Sequence, residues 1–431
     1  MKIFLKALGC RLNEAELEQW SRDFTAEGHE IVNNGNDADI VVLNTCAVTT
    51  EATKKSRKLM NRLHRENPQS KLVVSGCYAT LEEKYVAQRL GVDLVVNNQQ
   101  KDQLPQRVMD EFSANTMPLV AMNPGEPSLF LRGKQRAFIK IQDGCRYRCT
   151  FCIVTVARGE ERSRSIIDIV EEVNRLNQQG IQEVVLTGVH VGGYGSDLDA
   201  SLYELVTALL KETSIPRIRF ASVEPWDLPE EFFMLFSNPR LMPHMHLPLQ
   251  SGADSVLRRM SRRCKIADFS SLVEQARQAI PDFNVTTDII VGFPGETNEE
   301  WQKTLETVES IGFGHIHIFS YSQREGTKAS RLPNQVSKEI KKLRSLEIHQ
   351  LANKLKNNML QLQLEKTVDV LWERQKQAED KTGQVTYSGY TPNFSRIETI
   401  VDNTVLLESK IIKTSLTGFS SSRGVLKGIV L

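Results

Sequence analysis

The chain has 431 residues, 40% of them hydrophobic and 25% charged, and 54 Lys and Arg against 53 Asp and Glu leave a formal charge of +1. That balance excludes a globally basic nucleic-acid binder, so any nucleic-acid surface must be local. No apolar run of about eighteen residues is present to span a membrane, and Met1-Lys2 leads directly into a strand-like run rather than an apolar signal segment. The chain reads as cytoplasmic, and clustered cysteines in that compartment read as metal ligands rather than disulfides.

Residues 1–115 alternate strand and helix signals. Strands are predicted at 2–8, 39–45, 71–76 and 94–96, with helices at 13–28, 50–66 and near 80–90. This pattern specifies a parallel α/β sheet. Cys10, Cys46 and Cys77 each follow one of the first three strands, in polar or Gly-containing surroundings (Gly9-Cys10, Asn44-Thr45-Cys46, Gly76-Cys77). The C-terminal ends of neighbouring parallel strands share one edge, where ligands bind. Three cysteines at that position are therefore predicted to converge in space. Cysteines that only fill a core would sit inside the strands. Residues 116–133, with Asn123-Pro124-Gly125-Glu126-Pro127, read as a linker.

Residues 134–366 carry a second alternation, with strands at 137–142, 183–187, 217–222, 244–249, 284–291 and 314–320 and helices such as 165–179, 202–213, 268–280 and 298–311. Six such units predict a partial (βα)6 barrel, whose chemistry belongs at the C-terminal ends of its strands. Cys145, Cys149 and Cys152 follow the first of these strands in the spacing C-x3-C-x2-C. Four-iron clusters normally take four Cys ligands, so a triple leaves one iron open to a small molecule. A zinc site would want a fourth Cys or His close by, and the next His is His190. Thr187-Gly188, Glu224, Gln250-Ser251 and Asp288 end later strands, where they are placed either to contact a cofactor or to cap turns and helices. The Gly292–Thr297 loop lacks the Lys of a phosphate-binding loop. His244, His246, His315 and His317 read as core or rim residues.

Residues 337–366 form one long amphipathic helix. Five short strands follow, at 368–372, 383–387, 396–400, 405–408 and 410–414, and predict a small β-barrel of the kind that often carries oligonucleotides.

Cys145-Arg146-Tyr147-Arg148-Cys149-Thr150-Phe151-Cys152, with Ala157-Arg158-Gly159 and Ser163-Arg164-Ser165, resembles the radical S-adenosylmethionine (SAM) signature. Together with the Cys10/Cys46/Cys77 triple and a terminal module similar to the TRAM barrel, the chain resembles the radical SAM methylthiotransferase family over nearly its whole length. Lys140–Cys145 and Thr187-Gly188-Val189-His190 are similar to the branch that acts on N6-threonylcarbamoyladenosine in tRNA. Other branches act on N6-isopentenyladenosine or on a ribosomal protein.

The resemblance implies two [4Fe–4S] clusters with separate work. At the Cys145/Cys149/Cys152 cluster, SAM would be cleaved to a 5′-deoxyadenosyl radical that removes the C2 hydrogen of adenine. The Cys10/Cys46/Cys77 cluster would deliver the sulfur, giving a 2-methylthio group at tRNA position 37. Phe151 would pack on adenine or shield the cluster, and Thr187, Gly188, Glu224, Gln250 and Asp288 would contact SAM. The anticodon stem-loop of tRNA, an electron donor such as a flavodoxin or ferredoxin, and a sulfur source are the implied partners. Asn13 and Glu16 follow Cys10 in a pattern the family shares. Arg146, Thr155 and Cys264 depart from the family's usual Asn, Pro and aromatic residue. Three stretches are candidate RNA surfaces: the basic run from Arg132 to Arg164; Arg258, Arg259, Arg262, Arg263 and Lys265; and, on the terminal barrel, Tyr387, Tyr390, Phe394, Lys410, Lys413, Arg423 and Lys427.

Overall fold

The structure, a computed structural model, describes residues 1–89, 91–112, 135–373 and 383–431. The predicted linker, Arg132 and Lys134 lie outside the described residues.

The first 112 residues build β1 (Lys2–Ala7), α1 (Arg11–Ala26), β2 (Glu30–Ile31), β3 (Ile40–Thr45), α2 (Thr50–Glu66), β4 (Lys71–Gly76), α3 (Cys77–Leu81), α4 (Glu83–Ala87), β5 (Leu94–Val96) and α5 (Leu104–Phe112). The five strands are parallel in the order β2-β1-β3-β4-β5. Every residue of the central strand β3 is buried, as expected where helices cover both faces of a sheet. The predicted helix near 80–90 is two short helices. The short strand β2 and the helix α5 carry too few periodic residues to read from the sequence.

A second run follows: β6 (Arg136–Lys140), β7 (Gln142–Asp143), α6 (Val154–Arg158), β8 (Arg162–Ser163), α7 (Ile166–Gln178), β9 (Glu183–Thr187), α8 (Leu202–Glu212), β10 (Arg217–Phe220), β11 (His244–His246), α9 (Asp254–Arg259), α10 (Ile266–Ala279), β12 (Asn284–Val291), α11 (Asn298–Ile311), β13 (His315–Ser320) and α12 (Lys338–Gln361). Strands β6-β9-β10 and β11-β12-β13 form two parallel three-stranded sheets, joined by bridges from Ile218 to Leu241 and from Ser222 to His246. The result is an open six-stranded arc with β6 and β13 at its edges. Ser165, Ser201 and Ser337 cap helices α7, α8 and α12, and Thr297 and Glu300 form a capping box on α11. The Gly292–Thr297 loop is thus accounted for as a helix entry, with Glu296 also held by Arg344 at 2.8 Å.

Helix α1 lies along the edge strand β6. The Glu18 carboxylate accepts from the Phe138 backbone N–H at 3.1 Å, so a side chain covers an edge that would otherwise offer unpaired backbone. The first sheet is thereby fixed beside the mouth of the arc.

The last strands, β14 (Thr367–Trp372), β15 (Gln384–Tyr390), β16 (Arg396–Asp402), β17 (Ile411–Ser420) and β18 (Val425–Val430), close a barrel in the order β14-β15-β16-β18-β17. The predicted strand at 405–408 is absent: Thr404 and Val405 turn back onto Asp402, and the closing strand is Val425–Val430 instead. This barrel seats under the N-terminal ends of the arc's strands. Arg217 donates to the Asp369 and Tyr390 carbonyls at 2.7 and 3.3 Å, Asn284 donates to the Asn393 carbonyl at 2.8 Å, and Arg136 pairs with Glu373 at 2.6 Å. It therefore closes the floor of the arc and leaves the cysteine end open. No described helix is long and apolar enough to cross a membrane.

Candidate functional site

Two glycines let three strand ends approach one another. Gly9 has φ 119°, and a Cβ there would lie 2.7 Å from the Cys46 Cβ and 2.9 Å from its Sγ. Gly76 has φ 93°, and a Cβ there would lie 2.3 Å from the Thr45 carbonyl oxygen. Only glycine meets both the conformation and the space. Cys10, Cys46 and Cys77 consequently line one cavity of about 620 Å³. Burial raises the pKa of Cys10 and pushes the Cys46 thiol up to about 11.

Cys145, Cys149 and Cys152 sit on the loop after β7. Gly144 enters it with φ 76°, and a Cβ there would lie 1.8 Å from the Glu160 carbonyl oxygen. The loop is pinned by Cys145 N–H to the Gly159 carbonyl (3.1 Å), and by Thr150, whose N–H and hydroxyl reach the Met260 and Arg259 carbonyls (3.0 and 2.9 Å). Burial pushes the thiols of Cys145 and Cys152 up to about 12 and 11. Phe151, Cys152, Gln250 and Asp288 line a second cavity of about 210 Å³. Val48 and Val154 line both cavities, so two small apolar side chains form the partition between them.

The residues anticipated around SAM are thus divided. Phe151, Gln250 and Asp288 gather beside Cys152, whereas Thr187 and Gly188 line the larger cavity with the other triple. Gly188 sits where a Cβ would lie 2.9 Å from Gln142 Oε1, and that oxygen accepts from the Val189 and His190 N–H groups at 3.0 and 2.9 Å. Glu224 lines neither cavity. It is half-buried, 4.0 Å from His190 Nε2, and desolvation raises its pKa.

Behind both triples runs a buried charge network. Arg158 Nη1 donates to Glu16 and Asp143, and Nη2 to Asn13, all at 2.9 Å. Lys101 pairs with Glu16 at 2.5 Å, and Lys140 lies 3.5 Å from Asp143 and pairs with Asp102 at 2.7 Å. Although burial opposes it, Glu16, Cys77, Asp143 and Cys10 together hold Arg158 firmly charged. Three buried cations (Lys101, Lys140, Arg158) face two buried carboxylates (Glu16, Asp143), since Asp102 is 63% exposed. Arg158 pulls against burial at Cys10 and Cys46, and a cation beside such thiols suits an anionic metal–thiolate group once a metal is bound. Three cysteine donors at each triple fit an iron–sulfur cluster, and at Cys10, Cys46 and Cys77 the neighbouring Arg158 adds to that fit.

Sequence reasoning missed the second feature behind Cys145. His190, fully buried, is hydrogen-bonded through Nδ1 to Glu161 (2.5 Å) and through Nε2 to Asp227 (2.6 Å). Burial disfavours its charge, but Asp227, Glu224 and Glu161 outweigh that and raise its pKa. The ligand atoms of Cys145, Glu161 and His190 lie within 4.8 Å of one another, yet both ring nitrogens are already taken by carboxylates. His190 stood in the sequence as the first histidine after Cys152 and as the end of the Thr187-Gly188-Val189-His190 stretch, and nothing in its local spacing announced its two partners.

Other expectations shift. Helix α1 starts at Arg11, so Asn13 lies within its first turn rather than at its start. Its side chain bridges the Leu8 and Thr45 carbonyls and receives Arg158. Tyr387 is a core residue of the small barrel, and Tyr390 and Phe394 stack on each other with centroids 4.8 Å apart beneath Arg136 and Arg219. These half-buried rings are engaged in the floor contact, stacked on each other and against two guanidiniums. Lys410, Lys413, Arg423 and Lys427 are exposed. Arg259 is committed to Glu300, and Arg262 to the Pro248 carbonyl and the Trp226 ring, whereas Arg258, Arg263 and Lys265 are exposed. His244 and His246 are buried and share Thr286 Oγ1 as a partner.

The radical SAM superfamily model matches residues 139–308, and the model described as uncharacterized protein family UPF0004 matches residues 2–97. The chain is 38% identical to the threonylcarbamoyladenosine tRNA methylthiotransferase MtaB of Thermotoga maritima, covering 79% of each chain. It is 32% identical to the protein of the same name from Bacillus subtilis, covering 95% of this chain and 92% of that one. It is also 34% identical to the tRNA-2-methylthio-N(6)-dimethylallyladenosine synthase of Methylacidiphilum infernorum, covering 90% and 87%. Among solved structures, the radical SAM methyltransferase TsrM from Kitasatospora setae shares the fold with a TM-score of 0.58 at 13% identity, over 76% of this chain and 77% of that one. With six cysteines in two strand-end triples and relatives of one activity class along nearly its full length, this chain belongs to the radical SAM methylthiotransferase family and is an enzyme that uses SAM and a [4Fe–4S] cluster.

Proposed function

We propose that this enzyme inserts a methylthio group at C2 of N6-threonylcarbamoyladenosine at position 37 of tRNA, in the cytoplasm. The observation that carries the reading is that the cavity lined by Cys10, Cys46 and Cys77 adjoins, across Val48 and Val154, a cavity lined by Cys152 of the second triple. In this reading Cys145, Cys149 and Cys152 hold one [4Fe–4S] cluster, and Cys10, Cys46 and Cys77 hold a second. When bound, the first cluster and SAM supply a 5′-deoxyadenosyl radical able to break an unactivated C–H bond, and the second holds the sulfur to be transferred. The chain's own residues supply the rest. Phe151, Gln250 and Asp288 line the SAM side, with Asp288 held by His246 Nε2 at 3.2 Å. Thr187 and Gly188 line the sulfur side, where the adenine edge must enter. Val48 and Val154 are small enough to leave a passage and apolar enough to keep water from a reactive carbon. Glu224 and His190 act behind Cys145, through the loop rather than on substrate.

The name of the relative at 38% identity supports the threonylcarbamoyl group over the dimethylallyl group, whose synthase in Methylacidiphilum infernorum is 34% identical. An electron donor such as a flavodoxin or ferredoxin and an external sulfur source complete the cycle. Nucleoside analysis of tRNA from a deletion strain tests this. Loss of 2-methylthio-N6-threonylcarbamoyladenosine alone is the expected result, and loss of the dimethylallyl product instead would transfer the enzyme to the other branch.

A further inference from the structure

The larger cavity holds two cations among its described lining residues, Arg11 and Arg158. Arg158 is 2% exposed and fully committed to Glu16, Asp143 and Asn13. Arg11 is different. Its side chain is 58% exposed, and its ion pair is with Glu14, one turn along the same helix, at 2.9 Å. Such an exposed pair contributes little and exchanges readily. The Arg11 guanidinium also lies over the Phe138 ring, 4.9 Å from its centroid, on the first edge strand of the arc. Arg11 therefore stands on the rim of this cavity, adjacent to Cys10 and beside the edge strand β6.

We propose that Arg11 is a specificity residue that binds the carboxylate of the N6 substituent of the substrate adenosine, with Glu14 holding the guanidinium in the free enzyme. This rests on the threonylcarbamoyl reading above. A threonylcarbamoyl group carries a free carboxylate and a dimethylallyl group carries none, so discrimination requires a cation that is available at the cavity. A planar guanidinium offers paired donors to a carboxylate, which a lysine does not. On binding, the substrate carboxylate takes the place of the Glu14 carboxylate. Phe138 keeps one face of the guanidinium out of water, which strengthens the new pair.

The test measures equilibrium binding of anticodon stem-loop RNAs to anaerobically reconstituted enzyme. The RNAs differ only at the N6 group: threonylcarbamoyl, its methyl ester, or dimethylallyl. Wild type is expected to favour the acid over the ester by roughly 10- to 100-fold, the size of a hydrogen-bonded charge pair. R11Q should remove that preference while binding the ester as wild type does, R11K should keep a fraction of it, and E14Q should widen it. Unchanged acid-over-ester discrimination in R11Q overturns the proposal and leaves the substrate reading standing. Wild type that binds the dimethylallyl RNA at least as tightly as the acid overturns the substrate reading and this proposal with it. Should R11Q fail to load iron, E14Q decides: no gain in discrimination overturns the role of Arg11.

Discussion

The Arg158 guanidinium donates to the Asn13 side-chain oxygen at 2.9 Å. Asn13 follows Cys10 by three residues and Arg158 follows Cys152 by six, so this one buried hydrogen bond ties the two cysteine loops together. The same guanidinium reaches Asp143, two residues before Cys145. The relative placement of the triples is set by a side chain that belongs to neither.

Replacing Arg158 by Gln should destabilise the metal-free protein by about 3–5 kcal/mol, because Glu16 and Asp143 lose a buried cationic partner. Lysine keeps the charge but cannot reach three acceptors in a plane, so R158K should recover only part of that loss. Denaturant unfolding of the three proteins measures this, and a cost under about 1 kcal/mol for R158Q would show that the network does not hold the two sheets together.

Acid should unfold the protein through the same network. Burial alone pushes the Glu16 carboxyl up, but Arg158, Lys101 and Lys140 outweigh it and hold the pKa at about 2, against an ordinary 4.5. Asp143 is held below its ordinary value by the same cations. A depressed carboxylate pKa means that the unfolded chain binds more protons in this range. The stabilisation is therefore complete above about pH 4.5 and is lost as pH falls toward 2. E16Q should be less stable at neutral pH and show a flatter, though not level, stability profile between these values. An unchanged slope in chemical denaturation across that window would contradict the assignment.

Gly9 tests the convergence of strand ends. G9A forces a Cβ within 2.9 Å of the Cys46 sulfur at a φ that alanine avoids. Iron content after anaerobic reconstitution should fall from about eight to about four per chain, with SAM cleavage retained. Full iron loading in G9A would show that the strand ends have slack.

The two triples should fail differently. Alanine at Cys145, Cys149 or Cys152 should abolish formation of 5′-deoxyadenosine. Alanine at Cys10, Cys46 or Cys77 should leave it detectable while no methylthio product forms. Product from any of the latter three would remove the sulfur-delivery role.

Removing residues 367–431 should lower the melting temperature of the remainder as well as tRNA affinity. Arg217 is nearly fully buried and relies on the Asp369 and Tyr390 carbonyls, and Asn284 relies on Asn393. Calorimetry of the truncated chain showing an unshifted transition would mean that the floor contact is incidental.

Much of this was legible in the residues themselves. The strands carrying Cys10, Cys46 and Cys77, the C-x3-C-x2-C loop and the helices ending at Glu66 and Ile311 are local patterns, because periodicity and turn chemistry are properties of neighbouring residues. Convergence of three distant cysteines could be anticipated, since parallel strands put equivalent ends on one edge. The grip of Arg158 on Asn13 and Glu16, the two carboxylates around His190 and the withdrawal of Tyr390 and Phe394 into the floor could not. Each depends on partners more than twenty residues away whose approach is set by packing, and a polar or aromatic side chain takes its role from whatever it is buried against. The sequence by itself determined which atoms are available for chemistry. Only the tertiary structure decided which charges are spent on holding the molecule together and which, like that of Arg11, stay exposed at the rim of a cavity.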